Sequence, residues 1–395
     1  MAENNIPEIK TNPANLIDDD IGLLRRFWRG RLWYGTEWYI TVFGGTILVI
    51  MTILTLLAPV ISPHDPNDFI GAAFTEPGGG IQSVLSRSGE NPLGESNVLE
   101  GFTLGVQRNR NGVNLAKEQN LDKARYQTQD EMFVGLLSGE VDLIFVDKDL
   151  VPELLNQYPG VEVVIDKVGR QYTLGTDNLG RDITSRLIWG ARTVLGVAIT
   201  SALLSSTIGI TIGLISGFVG GGVDRVLSLI MDSIYAFPGL LLAIAMATML
   251  GPGLLNVAIA ISVIYIPTFF RVVRGQVLSV KEELYVEAAY SLGAKSWAIL
   301  TRYIFPNVVS SVVVVFSLNI ADAILTEAGL SFIGLGLPPD VPDWGYDLSK
   351  GHQFLVAGRW WMITFPGMLI TLVAVGFSLL GEGLSEILNP RLVDN

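Results

Sequence analysis

Six stretches of the chain are apolar over the thickness of a lipid bilayer, which leaves most of it one way to fold. The runs cover 39–61, 193–219, 226–249, 254–271, 303–327 and 361–381. Each is long enough to cross a hydrocarbon core of roughly 30 Å as a helix. Lipid offers no partner to an unpaired N–H or C=O, so the backbone must satisfy itself within each run. Only 16% of the 395 residues are charged, where soluble domains carry about 25%. The predicted class is an all-α polytopic membrane protein with six transmembrane helices. The first run, from Tyr39 to Ile61, exceeds a signal-peptide core and has no small-residue cleavage site after it, so it reads as a spanning anchor.

Charge is unevenly placed. Residues 62–185 hold 19 Asp and Glu against 10 Lys and Arg, nine of the net twelve negative charges. An acidic, polar block between apolar runs reads as a solvated domain on one side of the membrane, and nothing in it points to nucleic acid. Between about 98 and 168 it alternates strand-like pieces (102–106, 142–146, 161–165) with helix-like ones (130–138, 149–157), which predicts a small parallel or mixed α/β sheet. Gly78-Gly79-Gly80 reads as a flexible lead-in.

Lys and Arg placement sets the orientation. Arg25, Arg26, Arg29 and Arg31 interleave with Phe27, Trp28, Trp33 and Tyr34, a basic aromatic segment suited to the headgroup region. Residues 1–20, ending in Asp18-Asp19-Asp20, read as loosely ordered. Arg271, Arg274, Lys281, Lys295 and Arg302 follow the fourth run. Six spans put both basic groups and the C-terminus on one side, taken as the cytoplasm. Arg181, Arg186 and Arg192 fall on the far side, where an amphipathic helix lying on the outer leaflet is expected to hold them. The predicted division is a cytoplasmic segment 1–38, a first span 39–61, an extracytoplasmic region 62–185 with an insert at about 97–170, and a membrane core 186–395. In the second run, Ser201, Ser205, Gly209, Gly213, Gly217 and Gly221 recur at four-residue spacing, a face that lets another helix approach closely.

The chain lacks the usual chemistry of an enzyme. No phosphate-binding GxxxxGK[ST] loop occurs, since Lys295-Ser296 follows Ala294 where Gly is required. Gly329-Leu330-Ser331-Phe332 begins like a nucleophile elbow, but Ile333 replaces the closing Gly. Cysteine is absent, which removes disulfides and thiolate sites. His64 and His352 have no second ligand at suitable spacing. No catalytic residue, metal site or bound cofactor is predicted.

The strongest signal is Glu287–Pro306, EAAYSLGAKSWAILTRYIFP, between the fourth and fifth runs. Residues 281–289 are good helix formers, and Ala288 and Ala289 present a smooth surface. Gly293 supplies a helix stop or a positive φ. Residues 296–301 form a second short helix, and Pro306 suits the first turn of the fifth span. A helix-turn-helix lying along the membrane surface is predicted over 281–306.

This segment resembles the EAA loop of binding-protein-dependent ABC importers: Glu287-Ala288-Ala289, three residues, Gly293, nine residues, then a four-residue close ending in Pro306. Tyr303 and Phe305 stand where Ile and Leu are usual. Leu174-Gly175-Thr176-Asp177-Asn178-Leu179-Gly180-Arg181-Asp182, and Glu327 through Gly334 to Gly336 followed by Asp343-Trp344-Gly345, are similar to motifs of the C-type permease subunit of dipeptide, oligopeptide and nickel importers. The resemblance implies a heterodimer with a B-type permease in the inner membrane, two ABC ATPase subunits that carry Mg-ATP, and an extracytoplasmic substrate-binding protein. It makes Glu287, Ala288, Ala289, Gly293, Lys295 and Pro306 the ATPase-coupling residues. It assigns Gly175, Asp177, Gly180, Arg181, Asp182, Glu327, Gly334, Gly336 and Trp344 to the family motifs. Peptides are the implied cargo, with nickel or another small solute as the alternative.

The insert departs from that family. Pro92-Leu93-Gly94-Glu95 begins a phrase that Leu174-Gly175-Thr176-Asp177 completes. The stretch from Gln129-Asp130-Glu131-Met132 through Gly139-Glu140-Val141-Asp142-Leu143 is similar to part of a type II periplasmic binding protein. One partial lobe cannot close a two-lobed cleft, so a docking or lid role is expected. In the fifth run, Asn319, Asp322 and Thr326 share a helical face, and Asp322 is a candidate for lining a path and attracting a cationic group. A membrane-anchored ligand sensor would instead need one or two spans and a cytoplasmic signalling domain.

Overall fold

The computed structural model describes residues 23–94, 98–108 and 110–387, and the polar segment 1–20 lies outside them. Helix α1 (Leu23–Ile61) turns at Gly35, where φ is 48°. An α/β region follows, with β1 (Gln82–Arg87), β2 (Leu104–Gln107), α2 (Asn111–Glu118), β3 (Lys123–Tyr126), α3 (Gln129–Ser138), β4 (Leu143–Asp147), α4 (Val151–Gln157) and β5 (Val161–Val168). The chain returns to the bundle through α5 (Ile183–Val219), α6 (Gly221–Tyr235), α7 (Gly239–Leu250), α8 (Leu254–Lys281), α9 (Leu284–Ser291), α10 (Ser296–Ala298), α11 (Phe305–Phe332), α12 (Trp344–Phe354) and α13 (Trp361–Ile387).

Among the described residues, five helical stretches are long and apolar enough to cross a membrane, namely 35–61, 183–219, 254–281, 296–332 and 361–385. The sixth expected span, over 226–249, is broken: α6 and α7 meet at 88°. Pro238 accounts for the break, because it has no N–H to give and disfavours helix in the residue before it. The pair still carries the chain along the bundle. Gly217 of α5 packs on Val277 and Arg274, near the end of α8, while Gly196 lies nearest Leu254, the first residue of α8. Those two glycines are separated by about 30 Å of helix, and α6 with α7 is the connection that spans it. Helices α5 and α8 therefore run parallel.

Their seam explains much of the small-residue ladder. A Cβ on Gly209 would sit 2.6 Å from the Phe269 Cβ and 2.8 Å from the Ile266 carbonyl oxygen, and one on Gly217 would sit 2.8 Å from the Val277 Cβ. Only glycine lets the two backbones come this close. Ser205 turns instead toward α11, and Gly221 lies past the end of α5 with open space around it. Helices α1 and α13 pack antiparallel through a second glycine contact, Gly44 against the Gly376 carbonyl.

The α/β region is a five-stranded mixed sheet in the order β3-β2-β4-β1-β5, with β2 parallel to β3 and β4, and β1 antiparallel to β4 and β5. Alternation along the strands divides its core between two faces. Val84 and Phe145 pack with Leu104, Val106 and Leu115 on one side, and Leu85 and Ile144 pack with Met132, Phe133 and Leu136 on the other. A capping box between Thr128 and Glu131 starts α3, and Gly139 at φ 81° ends it, so this helix forms where its sequence predicts.

Two expectations change. The sheet begins at Gln82 rather than near 97, and β1 is its inner strand between β4 and β5. Gly78-Gly79-Gly80 is not a free lead-in but one side of a clasp. The Gly78 N–H donates to the Tyr172 carbonyl at 2.8 Å, and the Tyr172 N–H donates to the Gly79 carbonyl at 2.9 Å. The two ends of the inserted region thus meet at a narrow neck.

Candidate functional site

The loop after α8 folds as two short helical pieces joined by a tight turn. Helix α9 ends at Gly293, whose φ of 77° favours glycine and strains a β-branched residue. The second piece, α10, runs through a π-helical turn over Ile299–Ile304 into α11, with Pro306 in its first turn. One face is anchored: Val286, Ala289, Ile299, Leu300 and Ile304 pack on Val273, Val277 and Val308. The other face is open. Glu287, Ala288, Gly293 and Lys295 are exposed, and with them Leu284 at 81%, Leu292 at 88% and Trp297 at 74%.

This sorts the two alanines, which the sequence reading treated as one smooth surface. Ala289 faces inward against the end of α8, and only Ala288 is presented outward. The large apolar residues Leu284, Leu292 and Trp297 were not singled out from sequence. Their signal was available, since apolar side chains at a charged loop turn have no lipid to meet. Arg271, Arg274 and Lys281 sit on α8 rather than in the loop. Arg271 pairs with Asp232 of α6 at 2.8 Å, Arg274 pairs with Asp224, and Lys281 donates to the Phe218 carbonyl.

At the opposite end of the bundle, the motifs before α5 and after α11 converge. Asp177 accepts the Arg181 Nε–H at 2.6 Å and the backbone N–H groups of Leu179 and Arg181. Asp182 caps α5, accepting from Thr184 and Ser185. Gly175 and Gly180 hold positive φ angles of 80° and 81°, Gly175 against the backbone of residues 75–77 and Gly180 against that of residues 71–72. Arg186, buried, is clamped by Asp347 of α12 and also donates to the Pro66 carbonyl. Arg181 and Arg186 are therefore not held on an amphipathic helix at the outer leaflet as expected: both are buried and paired, Arg181 just ahead of the Asp182 cap and Arg186 in the first turn of a helix that continues into the bundle. Arg192 is exposed, lying 5.2 Å over the Trp189 ring.

The Glu327 motif completes this end. Glu327 and Asp343 are both fully buried, and the Ser331 hydroxyl lies 2.8 Å from one carboxyl and 2.7 Å from the other. Gly334 turns the chain at φ 85°, Gly336 packs on Ser331, and Asp343 caps α12 through the Gly345 and Tyr346 N–H groups. Trp344 is buried against Gly190 and donates its indole N–H to the Leu187 carbonyl at 2.9 Å. These residues fasten α5, α11 and α12 together at this end of the bundle.

The proposed path face of α11 divides. Asn319 is buried against α5, where its Oδ1 receives the Ser205 hydroxyl at 3.4 Å. Asp322 and Thr326 stay together on the open side. The Thr326 hydroxyl donates to the Asp322 carbonyl at 2.8 Å and lies 3.0 Å from the Tyr265 hydroxyl of α8. Asn319 thus belongs to the helix seam, and Tyr265, half-buried, joins the polar group of Asp322 and Thr326.

The described residues thus form a bundle of membrane-length helices with a two-faced helical loop at one end and a cluster of buried, paired motif residues at the other. The family of binding-protein-dependent transport system inner membrane components matches residues 209–394. The glutathione transport system permease protein GsiD of Pectobacterium atrosepticum is 41% identical over 261 residues, 66% of this chain and 85% of that protein. A Brucella suis biovar 1 permease, whose name assigns it provisionally to peptide transport, is 39% identical over 246 residues, covering 62% and 82%. A chain of the MetNI methionine ABC transporter in an inward-facing conformation is 17% identical with a TM-score of 0.40, covering 50% and 95%. The chain belongs to the binding-protein-dependent transport inner membrane component family. It is a non-catalytic, multi-pass inner-membrane permease subunit of an ABC importer, which works with an ATPase and a binding protein.

Proposed function

We propose that the chain lines half of the translocation path of a peptide importer, with short peptides such as glutathione as cargo. The relatives named for glutathione and peptide transport support this reading, and nickel or another small solute is the alternative. In this reading a B-type permease is the other half, and two ABC ATPase subunits bind Mg-ATP. The loop end of the bundle, both termini and residues 1–38 are cytoplasmic. The first span is 39–61, residues 62–185 face outward, and 186–395 form the permease core.

The observation that carries the proposal is the two-faced loop. Val286 and Ala289 root it on α8, while Leu284, Glu287, Ala288, Leu292, Gly293, Lys295 and Trp297 face outward at its turn. An apolar, partly aromatic knob rimmed by charge is suited to a groove on another protein. When ATP closes that groove, motion passes through the buried side of the loop to α8 and, beyond Pro306, to α11. Asp322, Thr326 and Tyr265 line the path and attract the amino terminus of a peptide. The α/β region positions the binding protein or gates the outer mouth. Co-purification with the ATPase subunits and reconstitution with candidate loaded binding proteins test the reading. Stimulated ATP hydrolysis and peptide uptake are expected, and an assembly with no ATPase partner would contradict it.

A further inference from the structure

A cavity of about 430 Å³ lies between the α/β region and the membrane module, within the range of roughly 300–1,000 Å³ typical of small-molecule sites. It opens at the carboxyl ends of the parallel strands β2 and β4, the edge at which open α/β sheets take their ligands. Arg110 follows β2, and Asp147 and Asp149 lie at and beyond the end of β4. The facing wall is not a second lobe. It is built from the segment around Phe74 and Glu76, before the neck, and from Arg359, just before α13. An inserted region too short for two lobes borrows its second wall from the membrane module.

The charges on the two walls are of both signs and only partly spent. Asp147 receives Gln82 Nε2 on one oxygen and Arg110 Nη1 on the other at 3.0 Å. It therefore holds Arg110 in place while the other guanidinium N–H groups have no partner among the described residues. Across the cavity, Arg359 lies over the Phe74 ring at 5.4 Å and reaches Glu76 at only 3.5 Å, a loose pair with donors to spare. Asp149 is exposed in the same lining and has no ion pair among the described residues.

We propose that this cavity binds a small zwitterion carrying a free ammonium and a free carboxylate, an amino acid or a short peptide. Its carboxylate sits on Arg110 and Arg359, where planar guanidinium forks suit it, and its ammonium on Asp149 and Glu76. A ligand held this way ties the inserted region to the loop that leads into α13. The site rests on its own geometry, whatever solute the importer carries.

The test uses the full-length subunit in lipid nanodiscs and isothermal titration with alanine, arginine, glutamate, di-alanine and tri-alanine, and with N-acetyl-alanine and alaninamide. One site per chain is expected for at least one zwitterionic probe. Blocking either end should weaken it roughly tenfold or more, the cost of losing a charge-assisted hydrogen bond. Arg359→Gln and Asp149→Asn should do the same with unchanged unfolding temperatures, while Glu153→Gln, exposed and outside the cavity lining, leaves binding as it was. Preference between alanine and the peptides identifies the source of the zwitterion. If Arg359→Gln proves unstable, Asp149→Asn, which breaks no ion pair, decides alone. No binding of any probe by the wild type, or binding of wild-type strength by both variants, would overturn the proposal. Neither ATPase nor transport is read, so failure here leaves the importer reading standing.

Discussion

Arg186 and Asp347 form a buried, two-pronged ion pair between α5 and α12, with Nε at 2.9 Å and Nη2 at 2.7 Å from the same carboxylate oxygen. The pair makes this end of the bundle one unit, because Arg186 also holds Pro66 and Asn67 in the segment after α1. Arg186→Gln would leave the largely buried Asp347 carboxylate without its ion-pair partner, at a cost of about 3–5 kcal/mol. The double change Arg186→Met with Asp347→Leu removes both charges and should cost less than the single one. Thermal unfolding of the purified variants in detergent measures both.

The α5–α8 seam makes a second prediction. Gly209→Leu must push α8 away, since even a Cβ there meets the Ile266 carbonyl oxygen at 2.8 Å. Folded yield should collapse. Gly196→Ala on the same helix, whose Cβ would meet only the Leu254 Cδ1 at 3.9 Å, should leave yield near wild type. Size-exclusion profiles of the two proteins make the comparison.

The neck permits a clean excision. Gly79 and Tyr172 are hydrogen-bonded neighbours, so removing 80–171 and joining them should leave a bundle that still inserts and folds. Cutting at 97 and 170 would strand β1 without its partners. Uptake driven by the binding protein is expected to fall in the excised protein, and unchanged uptake would remove any transport role for the region.

The neck also has a pH signature. Burial pushes the Tyr172 phenol up to about 12, so it remains neutral and donates to the Ile70 carbonyl at 3.0 Å. Its ordinary value is near 10. The stabilisation is therefore complete below about pH 10, where both folded and unfolded phenols are protonated. It is lost as pH rises from about 10 to about 12, where the unfolded form ionises first. Tyr172→Phe should flatten this part of the alkaline unfolding profile.

Gly293 needs its conformation rather than its size, because its φ is 77° and nothing lies within 4 Å of a Cβ. Asn tolerates this region and Val does not. Gly293→Val should uncouple ATP hydrolysis from uptake while membrane insertion stays intact, and Gly293→Asn should retain most of the coupling. Uptake per ATP hydrolysed separates the two.

These features were unequally legible in the sequence. The apolar runs marked the membrane helices, because lipid leaves the backbone no alternative. The break at Pro238 was also readable, yet a continuous apolar run masked it. Strand β1 was missed because Gln82, Ser83 and Ser86 look like loop residues. All three are buried, with Gln82 and Ser83 hydrogen-bonded across the sheet to Asp147 and to the Asp166 carbonyl. Strand β3, Lys-Ala-Arg-Tyr, is an edge, and charge on an edge strand hides its strand character. The Glu287 loop was recognisable by spacing, but which alanine faced outward depended on its packing against Val273 and Val277, residues of another helix.

The central claim is that the outward face of this loop meets the ATPase. The chain has no cysteine, so single cysteines can be placed without background. Ala288→Cys and Ala289→Cys, each labelled with a benzophenone maleimide in the assembled transporter and irradiated, test the claim most directly. Cross-linking to the ATPase subunit is predicted from 288, which is exposed, and not from 289, which is buried against α8. Equal cross-linking from both positions, or none from 288, would contradict it.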